Sequence, residues 1–186
     1  QRLHIGPGDR VLDLACGTGD FAMLCRARGA DVVGLDFSRG MLAAAAGRNG
    51  HAVDWVQGDG LRLPAADGTF TAAVSGFALR NFVSIQPVFE ELARVLKPGS
   101  GLGLLEVDAP RNRIIGFGHS LYFNRLVPAV GGLISDRKAY RYLPQSAAYL
   151  PAEAELLRML EGAGFVQVRK RSPMLGAIQS ITAVRS

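Results

Sequence analysis

A run of apolar residues that ends in two closely spaced glycines constrains this chain more than any other stretch. Residues 11–15 predict a buried strand of a parallel sheet, and Gly17 and Gly19 follow it directly. Apolar residues at 21–24 then begin a helix. This order of strand, glycine turn and helix is the first half of a nucleotide-binding α/β unit, in which glycine lets a ligand approach the bare backbone.

Asp13, inside that strand, decides between two kinds of ligand. The spacing of Gly17, Gly19 and Ala22 also fits the looser dinucleotide fingerprint, so a nicotinamide or flavin site is an alternative. A carboxylate at this strand end would repel a pyrophosphate. S-adenosylmethionine (SAM) carries an ammonium and a sulfonium and has no phosphate, so Asp13 favours SAM. In the alternative, structural interpretation, Asp13 only accepts hydrogen bonds from backbone donors in the turn.

Two more acids follow predicted strands. The strand predicted at 31–37 ends near Asp36, and the strand at 52–57 is followed by Asp59. The carboxyl ends of parallel strands share one rim of the sheet, where ligands bind. We expect Asp36 to bind the ribose hydroxyls and Asp59 the adenine amino group, with Met41 either near the adenine or in the core. The residues predicted to bind SAM are Asp13, Gly17, Thr18, Gly19, Asp36, Phe37, Met41, Asp59, Gly60 and Ser75.

The remaining pattern predicts the fold class. Strands at 70–77 and 102–107 flank an amphipathic helix that is capped by Ser84 and ends at Gly99. A helix at 151–162 precedes two strands, at 165–171 and 176–184, and their short connection makes them an antiparallel hairpin. We therefore predict an α/β fold with a Rossmann-like, seven-stranded, mostly parallel sheet and an antiparallel C-terminal hairpin.

Residues 110–150 interrupt this alternation. They are rich in arginine, glycine and aromatic residues, and they are too many for a bare loop in a compact domain. We predict that they form a helical insertion after the fifth strand, which covers the substrate. The 186 residues fit a single domain of this kind. Because the chain begins at Gln1 rather than Met, we expect that an N-terminal segment is missing.

The charge distribution and the cysteine content indicate where in the cell the protein acts. The formal net charge is +5, and basic residues concentrate at 111–141 and 169–171. Basic and apolar blocks over a site suit a lipid-soluble acceptor drawn from an anionic membrane surface. The longest uncharged run, 172–184, is too short to cross a membrane. Cys16 and Cys25 have no zinc-site spacing, which indicates reduced thiols in the cytoplasm and no metal site.

Several segments resemble a known family of enzymes. They lie at 11–20, 34–38, 79–81, 94–99 and 140–143. Through them the chain resembles the class I SAM-dependent methyltransferases and, within these, the ubiquinone/menaquinone biosynthesis C-methyltransferases. The resemblance implies cofactor contacts at Thr18, Asp36, Asp59 and Gly60. It also implies that Arg80 and Asn81 lie at the substrate-side mouth of the site.

Methylation of a prenylated quinol, such as demethylmenaquinol, is the function that the resemblance implies, with S-adenosylhomocysteine as the second product. A guanidinium is a poor base, so Arg80 would stabilise the developing phenolate or orient a water molecule, and Asn81 would hold it. His119, or alternatively Tyr122, would accept the phenolic proton. The predicted catalytic residues are therefore Arg80, Asn81 and His119.

Other functions remain open on the sequence. The chain departs from the family at Gly76, where serine is usual, at 174–181, and before the first strand, where further helices are usual. These departures concern the acceptor, so a small-molecule O-, N- or C-methyltransferase of secondary metabolism is the first alternative and a non-catalytic SAM-binding protein the second. We expect no nucleic-acid substrate, because residues 75–78 lack the Asp/Asn-Pro-Pro-aromatic run that stacks a flipped base. We expect a cytoplasmic protein with peripheral membrane contact, and a homodimer is left open.

Overall fold

The computed structural model of the protein describes residues 3–107, 150–173 and 178–186. The strands in these residues are β1 (Arg10–Leu14), β2 (Asp31–Asp36), β3 (Asp54–Gln57), β4 (Phe70–Gly76), β5 (Leu96–Val107), β6 (Phe165–Arg171) and β7 (Ile178–Arg185). The helices are α1 (Asp20–Arg26), α2 (Arg39–Asn49), α3 (Gln86–Val95) and α4 (Glu153–Gly162), and a short 3-10 helix, Leu79–Asn81, follows β4. None of these helices is long and apolar enough to cross a membrane.

All the strands of the described residues belong to one sheet, in the order β3-β2-β1-β4-β5-β7-β6. The first five strands run parallel, whereas β7 is antiparallel to both β5 and β6. The predicted fold class, including the antiparallel C-terminal hairpin, is therefore confirmed. The helical insertion predicted at 110–150 lies, apart from Leu150, outside the described residues.

The core has two layers, one on each face of the sheet. Consecutive residues of β1 face opposite layers: Val11 packs in a cluster with α1, and Leu12 packs in a cluster with α3 and α4. Helix α3 buries Val88, Phe89 and Leu92 completely, at 0% exposure, which confirms its predicted apolar stripe. Burial of each such side chain contributes roughly 1.5–3 kcal/mol. The two layers fix the strand ends that carry the site.

The junction between α3 and β5 differs from the prediction. The strand begins at Leu96, whereas the sequence predicted that the helix continues to Gly99. Leu96 is 2% exposed and pairs with Phe70 of β4, so burial in the sheet outweighs the local helix-ending signal. The ladder is irregular after this pair, and residues 97–100 bulge out of it. The proline in that bulge therefore costs no ladder hydrogen bond.

The start of α3 also differs from the prediction. Ser84 does not cap the helix; its N-cap residue is Ile85, which makes no side-chain capping hydrogen bond. The first turn contains Pro87 instead. Proline suits that place because its nitrogen has no hydrogen that would be left without a partner.

Candidate functional site

A cleft of about 850 Å³ opens at the carboxyl ends of β1, β2, β3 and β4. Its walls are the segments that directly follow these strands, at 14–21, 35–41, 58–61 and 76–83. The order of the sheet reverses between β1 and β4, and ligands of open α/β sheets bind at such a point. The rim predicted from the acids at the strand ends is therefore the rim at which the cleft lies.

The turn after β1 forms the floor of the cleft. Gly17 and Gly19 have φ angles of +54° and +86°, in the left-handed region that favours glycine. Ala15 has a φ of +54°, which is uncommon for a residue with a side chain. Asp36 ties this turn to α2: its Oδ2 accepts a hydrogen bond from the Gly17 nitrogen and its Oδ1 accepts one from the Ser38 nitrogen, both at 2.8 Å.

Asp13 lies behind this turn rather than in the cleft. Asp13 is 1% exposed, and its Oδ2 accepts a hydrogen bond from the Ala22 nitrogen in α1 at 2.8 Å. Burial raises the pKa of the Asp13 carboxyl to about 8. The geometry favours the structural interpretation, in which Asp13 holds the start of α1 against β1. A direct contact between Asp13 and SAM stays a prediction.

Most of the predicted cofactor residues come together at the cleft. Those that line it are Gly17, Thr18, Asp36, Phe37, Met41, Asp59 and Gly60. Gly19 and Ser75 lie behind its wall: a Cβ on Gly19 would overlap the Trp55 ring, and the Ser75 hydroxyl donates to the Leu14 carbonyl oxygen at 2.8 Å. These two residues support the turn and the strand end.

Phe37 and Met41 form an exposed apolar flank beside the acids. Phe37 is 76% exposed and Met41 is 37% exposed, and both line the cleft. Asp59 lines the same cleft, and its Oδ1 accepts a hydrogen bond from the Leu61 nitrogen at 2.9 Å. An apolar flank beside a carboxylate can hold a flat heterocycle that carries an amino group.

The turn after β4 forms the opposite wall. Phe77 has a φ of +58° and lines the cleft, as does Asn81. Arg80 lies between them in sequence, but its side chain is 0% exposed and lies behind the wall. Its guanidinium carbon is 5.8 Å from the centre of the Phe77 ring, and its Nη1 is 3.6 Å from Oε2 of Glu106. Of the predicted catalytic residues, Asn81 reaches the cleft, Arg80 is buried beside it, and His119 is outside the described residues.

Three further residues shape the walls of the cleft. A Cβ on Gly76 would overlap the Phe21 ring, so the departure from the family's serine is matched by a bulky neighbour. Burial raises the pKa of Cys16 far above its usual range, so this cleft residue is a neutral, small turn residue. Glu106 was not predicted as a site residue; its place at the end of β5 is the signal that could have identified it as a partner for Arg80.

Comparison with known proteins agrees with this geometry. Residues 2–185 match the sequence profile of the ubiE/COQ5 methyltransferase family. This chain belongs to that family. A demethylmenaquinone methyltransferase of Thermus thermophilus is 45% identical to this methyltransferase over 162 residues, which cover 84% of this chain and 74% of that protein. The ubiquinone/menaquinone biosynthesis C-methyltransferase UbiE of Syntrophotalea carbinolica is 39% identical, covering 100% of this chain and 81% of that protein.

The fold is that of SAM-dependent methyltransferases. A crystal structure of such an enzyme from Aquifex aeolicus matches with a TM-score of 0.71 and 17% identity, covering 98% of this chain and 85% of that one. The resemblance seen in the sequence is confirmed: the protein is an enzyme of this class, and SAM is its methyl donor.

The residues of the cleft fit SAM. A Cβ on Gly17 would meet no other atom within 4 Å, so the bare turn leaves open space beside the backbone. Of the described residues that line the cleft, Asp20, Asp36 and Asp59 are acidic and Arg48 alone is basic. Nη2 of Arg48 is 3.3 Å from Oδ1 of Asp20, so its charge is compensated. An excess of carboxylates suits a cationic ligand and opposes a pyrophosphate.

Proposed function

We propose that this methyltransferase transfers the methyl group of SAM to a ring carbon of a prenylated quinol, such as demethylmenaquinol, in quinone biosynthesis. The observation that carries the proposal is the division of the cleft. Its glycine-turn end is acidic, whereas the cleft-lining residues of 76–83 are apolar except for Asn81. An apolar wall with one amide suits a flat, lipid-soluble acceptor with a ring hydroxyl. The names of the relatives from Thermus thermophilus and Syntrophotalea carbinolica support this acceptor.

The acidic, glycine-turn end of the cleft is the donor end, and it orients SAM. SAM, when bound, supplies a methyl group that its positive sulfur has already activated. Asp36 would hold the ribose hydroxyls and Asp59 the adenine amino group, while the glycine turn receives the amino-acid end. Holding donor and acceptor in line removes much of the entropic barrier to the displacement.

The acceptor end of the cleft must favour loss of a phenolic proton, because the phenolate makes the ring carbon nucleophilic. The Arg80 guanidinium stays protonated and lies directly behind Phe77. Glu106 compensates the Arg80 charge, but the guanidinium is the member of the pair that lies over the Phe77 ring. A buried dipole with its positive end behind an apolar wall favours the phenolate over the phenol, since little water screens it there. Asn81 would orient the hydroxyl. His119 and Tyr122, the predicted proton acceptors, lie outside the described residues and stay predictions.

We also propose that the acceptor is collected at an anionic membrane surface on the cytoplasmic side. β6 stands at the end of the described sheet, and its residues Arg169 and Arg171 are exposed, whereas Lys170 is paired with Glu153 at 3.2 Å. Each basic residue near such a surface contributes about 1 kcal/mol of attraction. Vesicles of phosphatidylglycerol should therefore sediment the wild type better than the double variant Arg169→Gln/Arg171→Gln. Equal sedimentation of both would remove the membrane proposal.

Labelled SAM and a prenylated naphthoquinol test the reaction. Label on the ring carbon supports the proposal. Label found only on oxygen or nitrogen of other acceptors makes the protein a small-molecule methyltransferase of another kind, and binding of SAM without transfer makes it a non-catalytic binder.

Arg80→Ala should abolish turnover and leave SAM affinity near that of the wild type. An equal loss of both would remove the acceptor-side role of Arg80.

A further inference from the structure

The carboxyl end of β5 contributes one half of a buried charged pair. The Glu106 and Arg80 side chains are 2% and 0% exposed, and Oε2 of Glu106 is 3.6 Å from Nη1 of Arg80. A buried ion pair is a weak source of stability, since apolar residues of the same volume often serve as well or better. A buried pair beside an active-site cleft therefore points to the reaction rather than to the fold.

Glu106 also holds the backbone of the turn that lines the cleft. Its Oε1 accepts a hydrogen bond from the Leu79 nitrogen at 2.7 Å. Burial raises the pKa of the Glu106 carboxyl, and the backbone N–H of Leu79, the Arg80 guanidinium and the backbone N–H of Ala78 oppose that rise. Both backbone donors lie between Phe77 and Asn81, the two residues of this turn that reach the acceptor end of the cleft. One carboxylate thus fixes the turn and faces the Arg80 guanidinium.

The turn depends on such an anchor because its backbone is strained. Phe77 is in the left-handed region, which residues with side chains rarely adopt and which surrounding structure must enforce. The Phe77 nitrogen donates to the Leu105 carbonyl oxygen at 2.7 Å. Two consecutive residues of β5, Leu105 and Glu106, therefore hold the two halves of the turn.

We infer that Glu106 is a positioning residue for methyl transfer. It holds the 3-10 turn Leu79–Asn81 in place and fixes the Arg80 charge behind Phe77, and so acts on the acceptor and not on SAM. The inference rests on the proposed function in one respect, which is that Arg80 favours the deprotonated acceptor.

A double-mutant cycle tests the inference. Glu106→Gln keeps the volume and an acceptor oxygen for the Leu79 nitrogen, and removes the charge. We expect a fall in kcat of about 10- to 100-fold, the size of loss that misplacement by about 1 Å produces. Unlike Arg80→Ala, Arg80→Gln keeps a polar side chain behind Phe77, and we expect a residual kcat that single-turnover assays can measure. If Glu106 acts through Arg80, adding Glu106→Gln to Arg80→Gln should lower this residual kcat no further. Independent roles would instead multiply the two losses and overturn the inference.

Two readouts separate positioning from a merely structural role. The SAM dissociation constant, measured by calorimetry, should stay within about threefold in every variant of the cycle, since Glu106 lies at the acceptor wall. The melting temperature should fall in each single variant and recover in the double variant, because breaking a buried pair costs more than removing both partners. Recovery of stability without recovery of kcat is the expected signature. Recovery of both together would make the pair structural only.

Gln179→Leu is the matched control. Gln179 of β7 is buried and is the ladder partner of Glu106, and its side chain donates to the Val107 carbonyl oxygen rather than to the turn. This variant should lower the melting temperature and leave kcat near the wild type. If the wild type methylates an acceptor other than a quinol, the proposed function fails and the cycle is measured with that acceptor. If the wild type methylates the quinol and the cycle is multiplicative, only the inference fails.

Discussion

Replacing Asp13 by Asn should change how the stability of this protein depends on pH. The pKa of this carboxyl is raised to about 8: burial is the main cause, the Ala22 hydrogen bond opposes it, and the nearby Asp36 and Asp20 contribute to the rise. In the unfolded chain the same group has a pKa of 3.8. Asn keeps an acceptor oxygen for the Ala22 nitrogen and does not ionise.

The sign and size follow from the two pKa values. Between pH 4 and pH 8 the folded protein keeps a proton on Asp13 that the unfolded chain releases. The stabilising contribution of that proton is complete below about pH 4 and is lost as the pH rises to about 8, at about 1.4 kcal/mol per pH unit. The wild type should therefore lose roughly 2–3 kcal/mol of unfolding free energy between pH 5 and pH 7 through this group alone.

Urea unfolding at pH 5, 6, 7 and 8 measures the effect, with the fluorescence of Trp55, the single tryptophan of the chain, as the probe. The difference between Asp13→Asn and wild type should grow with pH in favour of the variant. Asp54→Asn, at an exposed acid, is the control and should run parallel to the wild type. Parallel curves for Asp13→Asn and wild type would refute the reasoning, because they would mean that Asp13 titrates alike in both states.

Three further changes probe the walls of the cleft. Gly34→Ala places a methyl group 2.6 Å from the Trp55 ring, which also packs under Gly19 of the glycine turn. Calorimetry should show weaker SAM binding, and adding Trp55→Leu should restore it; no restoration would contradict the packing argument. The side chain added by Gly76→Ser overlaps the Phe21 ring, so kcat/KM for the acceptor should fall and should recover when Phe21→Leu is added. A fully active single variant would show that the two side chains do not compete for space. Phe37→Ala removes an exposed ring beside the proposed adenine subsite and should weaken SAM binding about tenfold, the effect typical of losing one stacked base. Unchanged affinity would remove the stacking role.

The sequence predicted the parts of the fold that depend on local pattern. Apolar runs followed by glycine or acid placed the strands, and the short connection after Arg171 correctly predicted an antiparallel hairpin. The boundary at Leu96 failed because Lys97, Pro98 and Gly99 have the local chemistry of a helix end, while pairing across the sheet decides the outcome. Such pairing depends on a partner distant in sequence.

The site likewise has residues that local sequence patterns predict and residues whose position depends on partners distant in sequence. Gly17, Asp36 and Asp59 were found because a turn and two strand ends are local signals, and the structure brings them to one cleft. The burial of Arg80 was not foreseen, since it depends on the register between β4 and β5 that brings Glu106 beside it. The left-handed backbone at Phe77 could not be predicted either, because nothing in the local sequence of a bulky residue indicates that conformation.

The place of β7 has a consequence for synthesis. In the described sheet β7 lies between β5 and β6 although it follows both in sequence, so β6 gains its neighbour in this sheet only after β7 has been synthesised. The parallel half, with the glycine turn and the two acids of the donor end, is already complete in the nascent chain by then. A polypeptide that stops before Ile178 would leave two unpaired strand edges, which invite pairing with other chains.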